Sequence, residues 1–370
     1  MQVRALRQAN PDRATVRSGP RSGIPLRGSD RYPRKISSKE ITLDPTRHLA
    51  MPIRLDGIVA AGLHSICNQD IRCGTEGEAS KTRERPRPGH PAYHKRDNVM
   101  PHPFDPGCVQ TPFRTLAEEY PEADAYLPDQ FRVEWGPVFH RGRLDGSARI
   151  LVLGQDPAQH ETIVRRILVG EAGRRVQGFL GKLGITQSYV LVNTFLYSVY
   201  GSVTARTRRH PRLVAYRHRW LDALLVGTRV EAVLALGAAA DEAWQFWKGT
   251  PAGQASAVAY AAVTHPTQPE SSAKSDRVKL AAATTKLLQN WNAGLQHLAP
   301  ALVRPDVPRP LVLYGATWAD GDRLSIPEVD FPAGLPAWMR DDDGWAKRVG
   351  KDALGKRRNI TITVPKGVLQ

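Results

Sequence analysis

Short, uninterrupted apolar runs alternate with amphipathic stretches through the middle of the chain. The runs are Arg149-Ile-Leu-Val-Leu-Gly154, Tyr189-Val-Leu-Val-Asn193, Ala232-Val-Leu-Ala-Leu-Gly237 and Val258-Ala-Tyr-Ala-Ala-Val-Thr264. Each is too short for a buried helix and stops at a glycine or polar residue, which predicts strands buried on both faces. Helical patterns fall near 113–120, 160–169, 178–184, 211–226, 238–248 and 277–298. Alternation of this kind predicts an α/β fold, a three-layer α/β/α sandwich around a central, mainly parallel four-stranded sheet. Ligands of such sheets bind in the crevice beyond the carboxyl ends of the strands, so the residues that follow the runs are the first candidates for a site.

Outside this region the pattern fails. Residues 1–99 are rich in Arg, Pro, Gly and Ser, as in Lys81-Thr-Arg-Glu-Arg-Pro-Arg-Pro-Gly-His90. Such a stretch buries too little apolar surface to offset chain entropy and is expected to be disordered. Two readings stand for it: a basic arm that raises nonspecific DNA affinity, or a stretch preceding a true start at Met100. Residues 100–300 are expected to form the domain. Residues 301–370 read as an appendage that packs partly on the domain and ends in a loose basic tail with Lys347, Arg348, Lys351, Lys356, Arg357 and Arg358.

Charge narrows the choice of partner. The chain carries a net charge of +16, with 19 Lys/Arg against 10 Asp/Glu in residues 1–99 and a further excess in the rest. A basic protein is attracted to polyanions, and nucleic acid is the commonest. No apolar run reaches the roughly 18 residues of a membrane span, and the N-terminus lacks the apolar core of a signal peptide. The three cysteines, Cys67, Cys73 and Cys108, match no zinc or iron–sulfur spacing. The expectation is a cytoplasmic, monomeric, metal-free and cofactor-free DNA-binding protein.

Three strand ends carry polar residues of suggestive type. The first runs into Gly154-Gln-Asp-Pro157, the second ends in Asn193, and the last leads into Thr264-His-Pro-Thr267. Each has a plain structural explanation. Asp156-Pro157 makes a good helix start, with Asp as cap and Pro at the first helical position. Asn193 would cap a turn, and His265-Pro266 would end a strand. A parallel sheet nevertheless brings all three to one crevice.

Gly154-Gln-Asp-Pro157 resembles the first motif of the uracil-DNA glycosylase superfamily in its GQDP form. Val190-Leu-Val-Asn193 resembles the strand ending in that superfamily's uracil-reading Asn, and His265-Pro266-Thr267 resembles its HPS loop. The resemblance covers roughly residues 113–298. It implies a base-excision repair enzyme that flips uracil, or a related deaminated base, out of DNA and hydrolyses its N-glycosidic bond. Asp156 and His265 would be catalytic, and Gln155, Asn193 and Ala158 would contact the base.

The sequence departs from the family in several places. Ala158 stands where the family usually has a Tyr that blocks the thymine methyl. Gly173-Arg-Arg-Val-Gln-Gly178 resembles the segment carrying the base-stacking aromatic, but that position falls on Val176. Phe179 nearby would either substitute or belong to the core. Pro269 occupies the usual place of a Leu wedge, with Gln268 or the Glu270–Ser272 turn as the alternatives and Thr267 expected to touch DNA. The iron–sulfur branch has four cysteine ligands, which this chain lacks. Arg206-Thr-Arg-Arg-His210 loosely resembles a basic loop ending in His in a branch that traps uracil covalently; the simpler reading is phosphate contact by Arg206, Arg208, Arg209 and His210. These departures leave room for a second hypothesis, a catalytically degenerate DNA-binding module of the same fold.

Overall fold

The computed structural model describes residues 39–43, 108–121, 125–341 and 344–368. Apart from the strand β1 (Lys39–Leu43), the extension expected over 1–99 lies outside the described residues, as do Cys67 and Cys73. The central sheet holds β2 (His140–Gly142), β3 (Ile150–Gly154), β4 (Tyr189–Asn193), β5 (Ala232–Leu236) and β6 (Ala259–Val263), in the order β2-β4-β3-β5-β6. The four expected strands run parallel, and the sheet has five strands rather than four because β2 adds an antiparallel edge. Three residues, His-Arg-Gly, contain no apolar run, so nothing in their pattern marked them as a strand.

Strand alternation divides the core into two layers. Leu151, Leu153, Val190, Val192 and Val233 face helices Pro211–Leu225 and Ala238–Lys248, where Trp220, Leu221, Trp244 and Trp247 cover them. Ile150, Val152, Leu191, Ala232 and Leu234 face helices Glu171–Lys182 and Arg277–Leu298, against Phe179, Leu180, Leu288, Trp291 and Leu295. Full burial of side chains of this size contributes about 1.5–3 kcal/mol each.

Two helices differ from the expected spans. The stretch 160–169 is helical only over Gln159–Val164. Arg165 turns into the left-handed region at φ 61°, and its guanidinium donates to the carbonyls of Trp135 (3.0 Å) and Pro137 (2.6 Å). The helix expected at 178–184 instead occupies Glu171–Lys182. Its glycines mask it in the sequence, since glycine disfavours helices. They serve close packing: a Cβ on Gly178 would sit 1.9 Å from the carbonyl oxygen of Asp322, so the returning chain lies directly on the helix.

That returning chain binds the domain through polar groups. Asp330 and Arg141 form an ion pair with both side chains fully buried, and the hydroxyl of Tyr189 donates to the same carboxylate at 2.6 Å. Lys182 pairs with Asp322 at 2.8 Å. Asp306 accepts from the backbone N–H groups of Thr186, Gln187 and Ser188.

The C-terminal residues expected in a loose tail are instead structured. β7 (Ala346–Arg348), helix Ala353–Arg358 and β8 (Ile360–Val364) follow one another, and β1-β8-β7 form an antiparallel sheet. The cause is visible in Ile360-Thr-Ile-Thr-Val364, a period-two pattern whose apolar face enters a third core. This core joins Trp345, Ala346, Ile360, Ile362 and Val364 to Trp135, Ile163 and Val164 of the main domain. Truncating Asp330 would strand a buried guanidinium. Asp330→Ala is expected to lower unfolding free energy by about 3–5 kcal/mol in a urea titration, and a loss below 1 kcal/mol would contradict the role given to this pair.

Candidate active site

β3 and β4 keep pairing past their formal ends. The N–H groups of Thr194 and Phe195 donate to the carbonyls of Gly154 and Gln155, both at 2.9 Å. This parallel register sets Asn193 beside Gly154. A Cβ on Gly154 would lie 2.2 Å from Asn193 Oδ1, so the glycine leaves the room that the carboxamide fills. Asn193 is buried, and its Nδ2 has no hydrogen-bond partner. A buried polar atom of this kind carries a desolvation cost of about 1–3 kcal/mol that a hydrogen-bonding ligand relieves.

Asp156 is not a helix cap. The helix begins two residues beyond Pro157, with Ala158 at the N-cap position. The Asp156 carboxylate accepts from Val199 N–H at 2.7 Å and from Gln155 Nε2 at 2.9 Å. Burial pushes its pKa above the ordinary carboxylate value, partly offset by these two bonds and by the charges of Arg132 and Arg348. Arg132, buried, is held by the Ser198 hydroxyl and the Val199 carbonyl and lies over the rings of Trp135 and Tyr200. One segment, 198–200, therefore anchors both the carboxylate and the cation near it.

A second carboxyl supports this loop. Glu161 accepts from the N–H groups of Ala158 (3.0 Å) and Leu168 (2.9 Å). Burial, with the nearby Asp156 adding to it, pushes its pKa up to about 8. The bonds join the start of helix Gln159–Val164 to the bend beyond it, where Leu168 takes φ 54°. Non-glycine residues in that region are uncommon and cluster at functional loops. The signal for Glu161 was present as an acid three residues into a helix, the capping-box position; Arg132 and Leu168 had none.

The His265 loop is fixed from three sides. From helix Arg277–Leu298, Asn290 Oδ1 accepts from Thr264 N–H at 2.6 Å, and Trp291 Nε1 donates to the Thr264 carbonyl at 2.9 Å. Arg175 donates to the Pro266 carbonyl (2.6 Å) and to both carboxylate oxygens of Glu270 (2.7 and 3.2 Å). Gly237 packs against the base of His265, where a Cβ would come within 3.2 Å of His265 Cβ. Thr267 N–H donates to His265 Nδ1 at 3.4 Å, which leaves the ring proton on Nε2. Burial lowers the His265 pKa, so the imidazole is neutral at pH 7. Arg175 escaped the sequence reading because its partners are about ninety residues distant.

The remaining candidates are distributed unevenly. Asp156, Gln155 and Asn193 lie at the carboxyl ends of adjacent strands, and His265 follows β6, two strands from β3 on the same sheet edge. Ala158 is exposed. Val176 and Phe179 have no exposed surface: both are enclosed in the layer beneath the sheet, with Phe179 edge-on to Trp291 at 5.5 Å. Packing therefore takes the two side chains expected to stack on a base. Pro269 is buried in the first turn of helix Gln268–Ala273, whereas Gln268 is exposed. In the basic loop, Arg206 is exposed, Arg208 pairs with Glu242 at 2.6 Å and Arg209 reaches the same carboxylate at 3.5 Å. His210 caps helix Pro211–Leu225 by position, with its Nδ1 buried and unpartnered. Asn193 also borders a cavity of about 20 Å³ with Leu196, Arg217 and Trp220, enough for one water. Among the described residues no group of three or more His, Cys, Asp or Glu is placed to hold a metal, and no helix is long and apolar enough to cross a membrane.

The domain is a three-layer α/β fold that carries a carboxylate, a carboxamide and an imidazole at the carboxyl edge of its sheet. Residues 141–301 match the family model described as the Uracil DNA glycosylase superfamily, and this part of the chain is a domain of that superfamily. Membership places it among the glycosylases of DNA repair, whose substrate is DNA. No curated protein matches the chain.

Glu161 makes a pH signature. Its pKa is about 8 folded and near 4.5 in a free chain, so the folded protein holds an extra proton between those values. The resulting stabilisation is complete below about 4.5 and is lost as pH rises through about 8. Glu161→Gln, which imitates the protonated acid, is expected to flatten this decline in Tm measured from about pH 4 to about pH 9; an unchanged slope would remove Glu161 from this account.

Proposed function

We propose that this domain hydrolyses the N-glycosidic bond of uracil, or of a related deaminated base, in DNA after the nucleotide has been flipped from the stack. The observation that carries the reading is the buried Asn193 carboxamide, with its nitrogen unpartnered, beside the loop that bears Asp156. Asn193 would accept from uracil N3–H and donate to O4. Cytosine has the reverse pattern and would leave buried groups unpaired, at about 1–3 kcal/mol each.

The reaction breaks the bond between C1′ and the base nitrogen, and the electron pair leaves with the base. Asp156, ionised, stabilises the positive charge that builds on the sugar and orients a water whose oxygen bonds to C1′. His265, neutral, donates its Nε2–H to uracil O2 as negative charge grows there. The water's released proton ends in solvent or on the departing base. No metal is required by this scheme. Val199 N–H and Gln155 hold the carboxylate in place before the substrate arrives, so little reorganisation is needed at the moment of reaction.

A second reading, DNA binding without cleavage, draws support from two facts. Val176 and Phe179 are closed off in the core, and the cavity of about 20 Å³ that Asn193 borders has room for a water but not for a base. Excision therefore requires the loops around Asn193 to open for the base. Ala158, exposed and small, supplies no bulk against a 5-methyl group, so thymine opposite guanine is a candidate substrate beside uracil.

Single-turnover excision on oligonucleotides carrying uracil, mismatched thymine, hypoxanthine or xanthine separates the two readings. Excision of uracil is expected, and both Asp156→Asn and His265→Ala should slow it by about 10²-fold or more with unchanged circular dichroism. Wild-type protein that binds all four strands and releases no base would establish the binding module instead. Retention of full activity in Asp156→Asn would remove the carboxylate from the mechanism.

A further inference from the structure

The C-terminal sheet sits beside the catalytic loop. Ala346 of β7 shares a core with Ile163 and Val164 of the helix that follows Asp156, and Trp345 meets the His160 ring edge-on at 4.9 Å. Trp135 Nε1 donates to the Arg358 carbonyl at 3.3 Å, which fixes the end of helix Ala353–Arg358 to the same wall. Arg348 is close enough to Asp156 to help hold its carboxyl down.

Positive charge collects on this element. Residues 347–358 hold six Lys and Arg against one acid, Asp352, and Asp352 is occupied in capping helix Ala353–Arg358 through Gly355 N–H at 2.7 Å. Lys347, Lys351 and Lys356 are exposed, and among the described residues no acid pairs with them. The loop 204–210 behaves differently, since Glu242 binds both Arg208 and Arg209. Among the described residues, the exposed lysines of the C-terminal sheet therefore lie on an element packed against the helix that follows Asp156.

We propose that the turn after β7 and helix Ala353–Arg358 form a phosphate-contacting arm, which grips the DNA strand flanking the flipped nucleotide. The proposal rests on the glycosylase reading for its choice of ligand. Lysines at exposed positions above a rigid third core suit such contacts, because phosphate binding needs point charges and no base-specific geometry.

The test uses the full chain and DNA without uracil, so it does not depend on excision. Binding of a fluorescent duplex and of its single strand is measured over a range of salt for wild type, for K347Q/K351Q/K356Q and for K347R/K351R/K356R. The glutamine variant is expected to bind more weakly, with a log–log salt slope shallower by about 2, and the arginine variant to recover the wild-type slope. A glutamine variant of unchanged Tm with wild-type affinity and slope would overturn the proposal and leave these lysines as guards of an open sheet edge. If the wild type binds, loses slope in the glutamine variant and yet excises nothing from uracil-containing strands, the arm stands and the glycosylase reading falls.

Discussion

The ladder between β3 and β4 carries the site. Because the two strands remain hydrogen-bonded beyond their ends, Gly154 and Asn193 share a level, and the carboxamide lies in the space where a side chain on residue 154 would be. The same continuation brings segment 194–199 back across the Gln155-Asp156 turn, so that Val199 N–H meets the Asp156 carboxylate. Asp156 is thereby diverted from capping the following helix. Glu161 takes the Ala158 N–H instead. A local preference for an Asp-Pro cap yields to a tertiary hydrogen bond, and the carboxylate becomes available for chemistry.

Around this ladder the charged groups are arranged to keep different protonation states close together. Asp156 has two donors and two cations acting on it, which oppose the upward push of burial on its pKa. Glu161, with Asp156 nearby and two backbone donors, is pushed to about 8 and stays protonated at neutral pH. Burial lowers the pKa of His265 and keeps it neutral, and the Thr267 N–H faces its Nδ1. Environments that drive neighbouring groups apart in this way are characteristic of acid–base sites.

The C-terminal third of the chain is part of this construction. Asp330 completes a fully buried pair with Arg141 on the edge strand β2, and the third core presses β7 and β8 onto the helix that follows Asp156. The pair by itself is not an efficient source of stability, since desolvating two charges offsets much of their attraction. The pair instead ties the returning chain to the edge strand at one point, through the Nη1 of Arg141.

The apolar runs determined the four parallel strands, and their uninterrupted hydrophobicity required helices on both faces. The polar residue closing each run, Asp156, Asn193 or His265, followed from the same pattern, because a parallel sheet presents all its carboxyl ends along one edge. The period-two run at 360–364 is equally legible, although the basic residues around it carry the composition of a tail. What tertiary structure alone decided are the contacts between distant residues: the three-residue strand β2, the Arg175 brace on the His265 loop, and Arg132 beside Asp156. Tertiary packing also decided that Val176 and Phe179 belong to the core. A helical position records only that a side chain is apolar, and whether it meets a base or a tryptophan depends on what the rest of the chain lays against it.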